Sequence, residues 1–195
     1  MPKETIMKRL ALLPPIVLAL AACSDTTATG PISVPGSLPG PQRVIAISLN
    51  EANAPEGTHF QTGAATCDFD SILLTVICAA YELGGVGNID ATADLALTFT
   101  ATINCTNRGG ELVEVHSQDA TATVSADDLR SKNGRLDVPQ LSGVSPTTSE
   151  VLEDAACPNR NWTPSVQEGS LTLTSFTYTL TFDDFPGAFI TITGP

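Results

Sequence analysis

Charge is what this sequence has least of. Only 15% of its 195 residues are Asp, Glu, Lys or Arg, against about a quarter in an ordinary soluble domain. Cations are the scarcer sign. Nine Lys and Arg stand against 21 Asp and Glu, a formal charge of −12. Nucleic-acid binding needs Lys and Arg clustered against phosphate, so this balance argues against it. Phe, Trp and Tyr together make up only 5%. Thr and Ala fill the gap, and Thr favours strands. Further absences narrow the chemistry. There is no C-x-x-C pair for a thioredoxin-like redox site or a local zinc knuckle. There is no D-x-[DN]-x-[DN]-G calcium loop and no G-x-S-x-G nucleophile elbow. No apolar run reaches the ~18 residues of a membrane span.

The N-terminus, MPKETIMKRLALLPPIVLALAAC, carries a basic start at Lys3, Lys8 and Arg9. An apolar stretch over residues 10–22 follows, interrupted by Pro14 and Pro15. Its length and flanks mark a secretion signal rather than a transmembrane helix. Its end, Leu20-Ala21-Ala22-Cys23, resembles the lipobox of bacterial lipoproteins. That resemblance implies cleavage before Cys23 and acylation of its thiol, with two or three chains giving stable membrane attachment. In that family an Asp directly after the Cys retains the protein in the inner membrane. Here Ser24 intervenes before Asp25, which implies the outer membrane where the host has one. The plainer alternative is A-x-A cleavage after Ala21, which leaves an odd number of cysteines in a secreted chain. Loss of residues 1–22 removes Lys3, Glu4, Lys8 and Arg9 and leaves a charge of −14. Anionic lipid heads repel such a body, so the acyl anchor is expected to hold the membrane.

Three segments are expected: a signal over 1–22, an acylated Cys and tether over 23–42, and a folded domain over 43–195. The tether, SDTTATGPISVPGSLPGPQ, has too little apolar character for a core. Semi-extended at about 3.1 Å per residue, the tether reaches up to about 55 Å. From residue 43 the pattern is strand-like. In RVIAISL, Ile45, Ile47 and Leu49 share a face. TCDFDSILLTVICAAYEL reads as a hairpin with turn chemistry near Asp70-Ser71, and its second arm, apolar on both faces, suits a central strand. In DLALTFTATINC, Leu95, Leu97, Phe99, Ala101, Ile103 and Cys105 alternate with Ala96, Asn104 and threonines. Further strands are expected at 120–125, 135–141, 171–182 and 188–193. The apolar phase slips within 171–182, so a bulge is expected near Ser175. Only 147–155 reads as helical, opened by a Thr147-x-x-Glu150 capping box. The pattern predicts an all-β, antiparallel two-sheet sandwich of immunoglobulin-like type with that one short helix.

Export permits disulfides. Cys67 and Cys78 can face each other across the hairpin, and Cys105 on a buried face would then pair with Cys157, although four cysteines allow three connectivities. Both Cys105 and Cys157 open a Cys-x-Asn-Arg echo, whose Asn and Arg read as turn formers. The acidic pairs Asp68/Asp70, Asp127/Asp128 and Asp183/Asp184 are the calcium candidates, with solvated strand ends as their default reading. Glu114, His116, Ser117 and Asp119 are neighbours in EVHSQD, but adjacency in sequence does not make a triad. Trp162 is expected to pack on the disulfide beside it, and its sharper alternative is a ligand contact.

The motifs CAAYELGGVGN, CTNRGG, KNGRL and CPNRNWT, in that order, resemble a group of small exported bacterial domains. The resemblance implies a disulfide-stapled β domain and carries no activity with it. The chain is therefore expected to be a non-enzymatic envelope lipoprotein without cofactor. Its partners would be the membrane, through lipid, and an envelope protein or glycan. The alternative is an envelope hydrolase or carbohydrate-active domain. A pocket gathering His116 or His59 with two carboxylates would favour that alternative.

Overall fold

The structure, a computed structural model, describes residues 45–195. The signal segment, Cys23 and the tether lie outside the described residues. The chain folds as an all-β, two-layer antiparallel sandwich.

The larger sheet is organised by one strand. β6 (Ala91–Thr106) has sixteen residues whose side chains alternate strictly between a buried and a more open face. Along one edge it pairs over its whole length with β7 (Leu112–Leu129). Along its other edge it pairs first with β11 (Thr172–Phe182) and then with β10 (Thr163–Val166), which lie end to end. β12 (Ala188–Gly194) and the edge strand β1 (Ala46–Leu49) complete the sheet beyond β11. Between β10 and β11 residues 167–171 loop out. The ladder is kept by Gln167 N–H donating to Thr102 O and by Thr102 N–H donating to the Ser170 hydroxyl. The expected bulge is present, between Leu173 and Ser175.

The second layer is a three-stranded antiparallel sheet broken at one level, its third strand reached only after β6 and β7. β2 (His59–Thr62), β5 (Tyr81–Gly84) and β8 (Arg135–Val138) form one half, and β3 (Cys67–Asp70), β4 (Thr75–Cys78) and β9 (Leu141–Val144) the other. The breaks fall at residues 63–66, 79–80 and 139–140. Pro139 cannot donate to a ladder, which suits it to that position. The strand expected at 135–141 is thus two short strands. The hairpin of β3 and β4 turns where expected: Asp70 Oδ1 accepts from the N–H groups of Ile72 and Leu73 at 2.8 and 2.9 Å. Its second arm is central, between β3 and β9, but only one face is buried, because Val76 is enclosed while Ile77 is 40% exposed.

Leu95, Leu97, Phe176 and Leu180 of the large sheet face Val76, Leu83 and Leu136 of the second layer in one core. Gly143 lets the layers close up, since a Cβ there would collide with Leu97. No disulfide joins the layers, in contrast to antibody-type sandwiches. A buried hydrogen bond does so instead, between the hydroxyls of Tyr81 and Tyr178 at 2.8 Å. Past the end of the second layer, helix α1 (Thr148–Glu153) covers Ala101, Ile103 and Cys105 with Val151 and Leu152. The expected capping box opens it. Thr147 N–H donates to Glu150 Oε2 at 2.6 Å and holds that carboxyl below the usual carboxylate range. A 3-10 turn (Glu51–Asn53), capped by Asn50, follows β1.

Tyr81 and Tyr178 are the chain's only tyrosines. Burial pushes the Tyr178 hydroxyl up to about 12, and burial together with its partner raises Tyr81 well above its ordinary value. Both stay neutral in the native state, whereas an unfolded chain ionises them near pH ~10. Their contribution to stability is therefore complete below that pH and is lost as pH rises from there through the native values. Absorbance at 295 nm should show no tyrosinate near pH ~10 and should rise only together with alkaline unfolding. Tyr178→Phe should cost about 1–3 kcal/mol by stranding the other hydroxyl. A normal titration in the folded protein would contradict the buried pair.

Candidate functional site

The disulfides follow the pairing favoured above. Cys67 and Cys78 stand opposite each other in the hairpin, eleven residues apart in sequence. Cys105, fully buried on β6, bonds to Cys157, fifty-two residues on. The second bond draws the echoed motifs to one end of the sandwich. In the first echo, Asn107 Oδ1 accepts from the N–H groups of Gly109 and Glu111 at 2.9 and 3.0 Å. In the second, Asn159 Oδ1 accepts from Asn161 N–H at 3.0 Å, and Asn159 O accepts from Trp162 N–H. Each Asn is thus a turn former. The Arg108 guanidinium then donates to Asn161 Oδ1 at 3.2 Å and ties one turn to the other.

Trp162 is half-buried beside this bond, in a small core with Cys105, Cys157, Val151 and Val166. Its packing role is therefore present, and part of its side chain stays open to solvent. Arg108 and Arg160 are exposed in the two turns. They are two of the five Lys and Arg among the described residues, in a chain otherwise dominated by carboxylates.

The remaining candidates are separated by strand alternation. Glu114 and His116 point inward from β7, while Ser117 and Asp119 point outward, so EVHSQD does not converge. His116 Nδ1 lies 4.0 Å from Glu114 Oε1 and has no hydrogen-bond partner. His59 is exposed on β2, with Nδ1 at 2.8 Å from Gly57 O, which requires Nδ1 to carry the proton. It shares an open hollow of about 610 Å³ with Glu51 and Glu56. Residues 51–59 alone line that hollow, and the Thr58 hydroxyl there is spent on Pro55 O at 2.7 Å.

The acidic pairs lie on different elements. Asp68 is exposed on β3 and Asp70 closes its turn. Asp127 and Asp128 end β7, with Asp128 at φ 53°, and Asp183 and Asp184 form the turn after β11. Among the described residues no group of three or more His, Cys, Asp or Glu is placed to hold a metal ion.

No protein family, curated protein or solved structure matches this chain.

Sequence reasoning had no access to the Arg108–Asn161 contact or to the hollow around His59. The first depends on the disulfide. The second depends on Gly85, where a Cβ would collide with Gly57 and force the 55–59 segment away.

Two disulfides mark an oxidising, exported compartment. On the chain-entropy argument the longer loop contributes about 4 kcal/mol and the shorter about 3 kcal/mol. Cys105→Ala with Cys157→Ala should therefore lower the unfolding free energy, taken from urea midpoint and slope together, more than Cys67→Ala with Cys78→Ala. The reverse order would mean that the clamp end is not a main support of the fold.

Proposed function

We propose that the chain is a lipid-anchored envelope protein whose sandwich is a non-catalytic binding or structural module. Its anchor is Cys23 in the lipobox-like Leu20-Ala21-Ala22-Cys23. The observation that carries the module reading is the clamp end. One disulfide and one Arg–Asn bond hold two turns rigidly together, and those turns present Arg108, Arg160 and the open part of Trp162. Amphipathic aromatic and guanidinium groups on a preorganised loop pair are favoured contacts for a protein or glycan partner. An envelope protein or an anionic glycan suits the two guanidinium groups.

A second reading has one observation in its favour. His59 shares its hollow with two carboxylates, Glu51 and Glu56. Its Nε2 has the lone pair a general base needs. That is the arrangement an envelope hydrolase or carbohydrate-active domain would use.

Four measurements test these readings. Intact mass of the envelope-purified protein should show acyl chains on a chain starting at Cys23, and Cys23→Ala should move the protein to the soluble fraction. Membrane retention of that variant would overturn the anchor. Trp162→Ala should weaken capture of envelope protein or glycan, while His59→Ala leaves it unchanged. Hydrolysis of envelope glycan or ester substrates that His59→Ala abolishes would replace the module reading with the enzymatic one.

A further inference from the structure

β7 is an eighteen-residue strand with β6 on one side and, among the described residues, no strand on the other. The direction of its backbone groups follows from its partner. Thr102 spends its N–H and C=O on the β10–β11 side, and Thr98 and Thr100 carbonyls accept hydroxyls from β11. The residues of β7 opposite these three are Ser117, Asp119 and Thr121. In an antiparallel ladder they must then turn their backbone groups away from β6. Their row is open apart from Asp119 O, which accepts from its neighbour's side chain, Gln118 Nε2, at 3.0 Å. Of the usual protections of an edge, β7 carries neither Lys nor Pro; its bulges fall at its two ends, and its charges are Glu114 and Asp119 between them and Asp127 and Asp128 at one of them. Its first residues also expose apolar surface, with Leu112 at 57% and Val115 at 51%.

We propose that β7 pairs antiparallel with β7 of a second copy of this chain, about a two-fold axis at Gln118. That register sets residues opposite whose numbers sum to 236, so open backbone groups face open backbone groups. Val115 falls opposite Thr121, and beyond the β7 bulge at Val113 the exposed Leu112 comes near Thr123 and Val124. The exposed aliphatic end of one strand is thereby covered by the β-branched stretch of the other. Asp119 meets Ser117, and Glu114 meets Ala122. Two nearby registers are worse. An axis at Asp119 sets that carboxylate against itself, and an axis at Thr121 sets Glu114 against Asp128, like charges that destabilise a ladder. The pairing is isologous and closes on itself, so it stops at a dimer.

The test uses the exported chain bearing Cys23→Ser. Sedimentation should show a concentration-dependent dimer. Thr121→Pro should weaken it about tenfold or more, because it removes an outward N–H from each copy. It should leave the fold intact, since that N–H is not used by β6, and circular dichroism checks this. Gln118→Cys should oxidise to a symmetric disulfide dimer, because the self-paired position brings the two Cβ atoms within about 5.5 Å. Ala122→Cys should not. A chain that stays monomeric up to its solubility limit overturns the proposal. So does a dimer indifferent to Thr121→Pro, or one cross-linked through Ala122→Cys rather than Gln118→Cys.

Discussion

The large sheet is placed by the pairing of β6. Its inner face runs without interruption from Ala91 to Cys105, and it lies beneath both the main core and the smaller one under α1. Its two edges carry β7 on one side and β11 with β10 on the other. A strand buried on one face resists slippage, because a shift of one residue would send its whole apolar set to solvent. The register of β6 therefore fixes the registers of three strands. It also fixes the position of a half-cystine, and through it the loop that carries Trp162.

Period-two alternation made β6 legible in the sequence, and with it the buried place of Cys105. The capping box at Thr147 and the bulge near Ser175 were legible for the same reason: each is a local pattern with a local cause. β7 was legible only over residues 120–125. Its inward positions are filled mostly by Ala, Gln, His and Glu, which carry little hydrophobic signal. The breaks in the second layer were hidden in different ways. The apolar run through Cys78, Ala79 and Ala80 conceals one, while Pro139 was a readable sign of another. The Tyr81–Tyr178 bond joins residues 97 apart and follows from no periodicity. Side chains that alternate between faces separated Ser117 and Asp119 from His116. His59 acquired its two carboxylates from different turns, Glu51 from the 3-10 turn and Glu56 from the turn that approaches Gly85 closely.

The two disulfides work on different scales. The hairpin bond closes a segment that already has a good turn and a matched ladder, so it reinforces local order. The bond from Cys105 reaches across the helix and anchors a segment with little regular structure of its own. Without it, residues 154–162 would be held mainly by the half-buried Trp162 and by one Arg–Asn contact. The repeated Cys-x-Asn-Arg is therefore an arrangement of two similar turns, each begun by a half-cystine and shaped by an Asn side chain. The arginines are carried outward as a result.

The Ser170 hydroxyl occupies a position in the ladder that normally belongs to a backbone carbonyl. The strand pairing on that edge of β6 is thus continuous even though the chain supplying it is not. The segment between Gln167 and Ser170 is relieved of any part in holding the sheet together. The turn from Gln167 to Ser170, closed by the Ser170 hydroxyl donating to Gln167 O at 2.7 Å, is what returns that hydroxyl to Thr102, so any change of length has to keep this contact. With that contact kept, this is a point at which the fold can accept added sequence, such as a reporter peptide or a new recognition loop, close to the clamp end and without a new edge in the sheet.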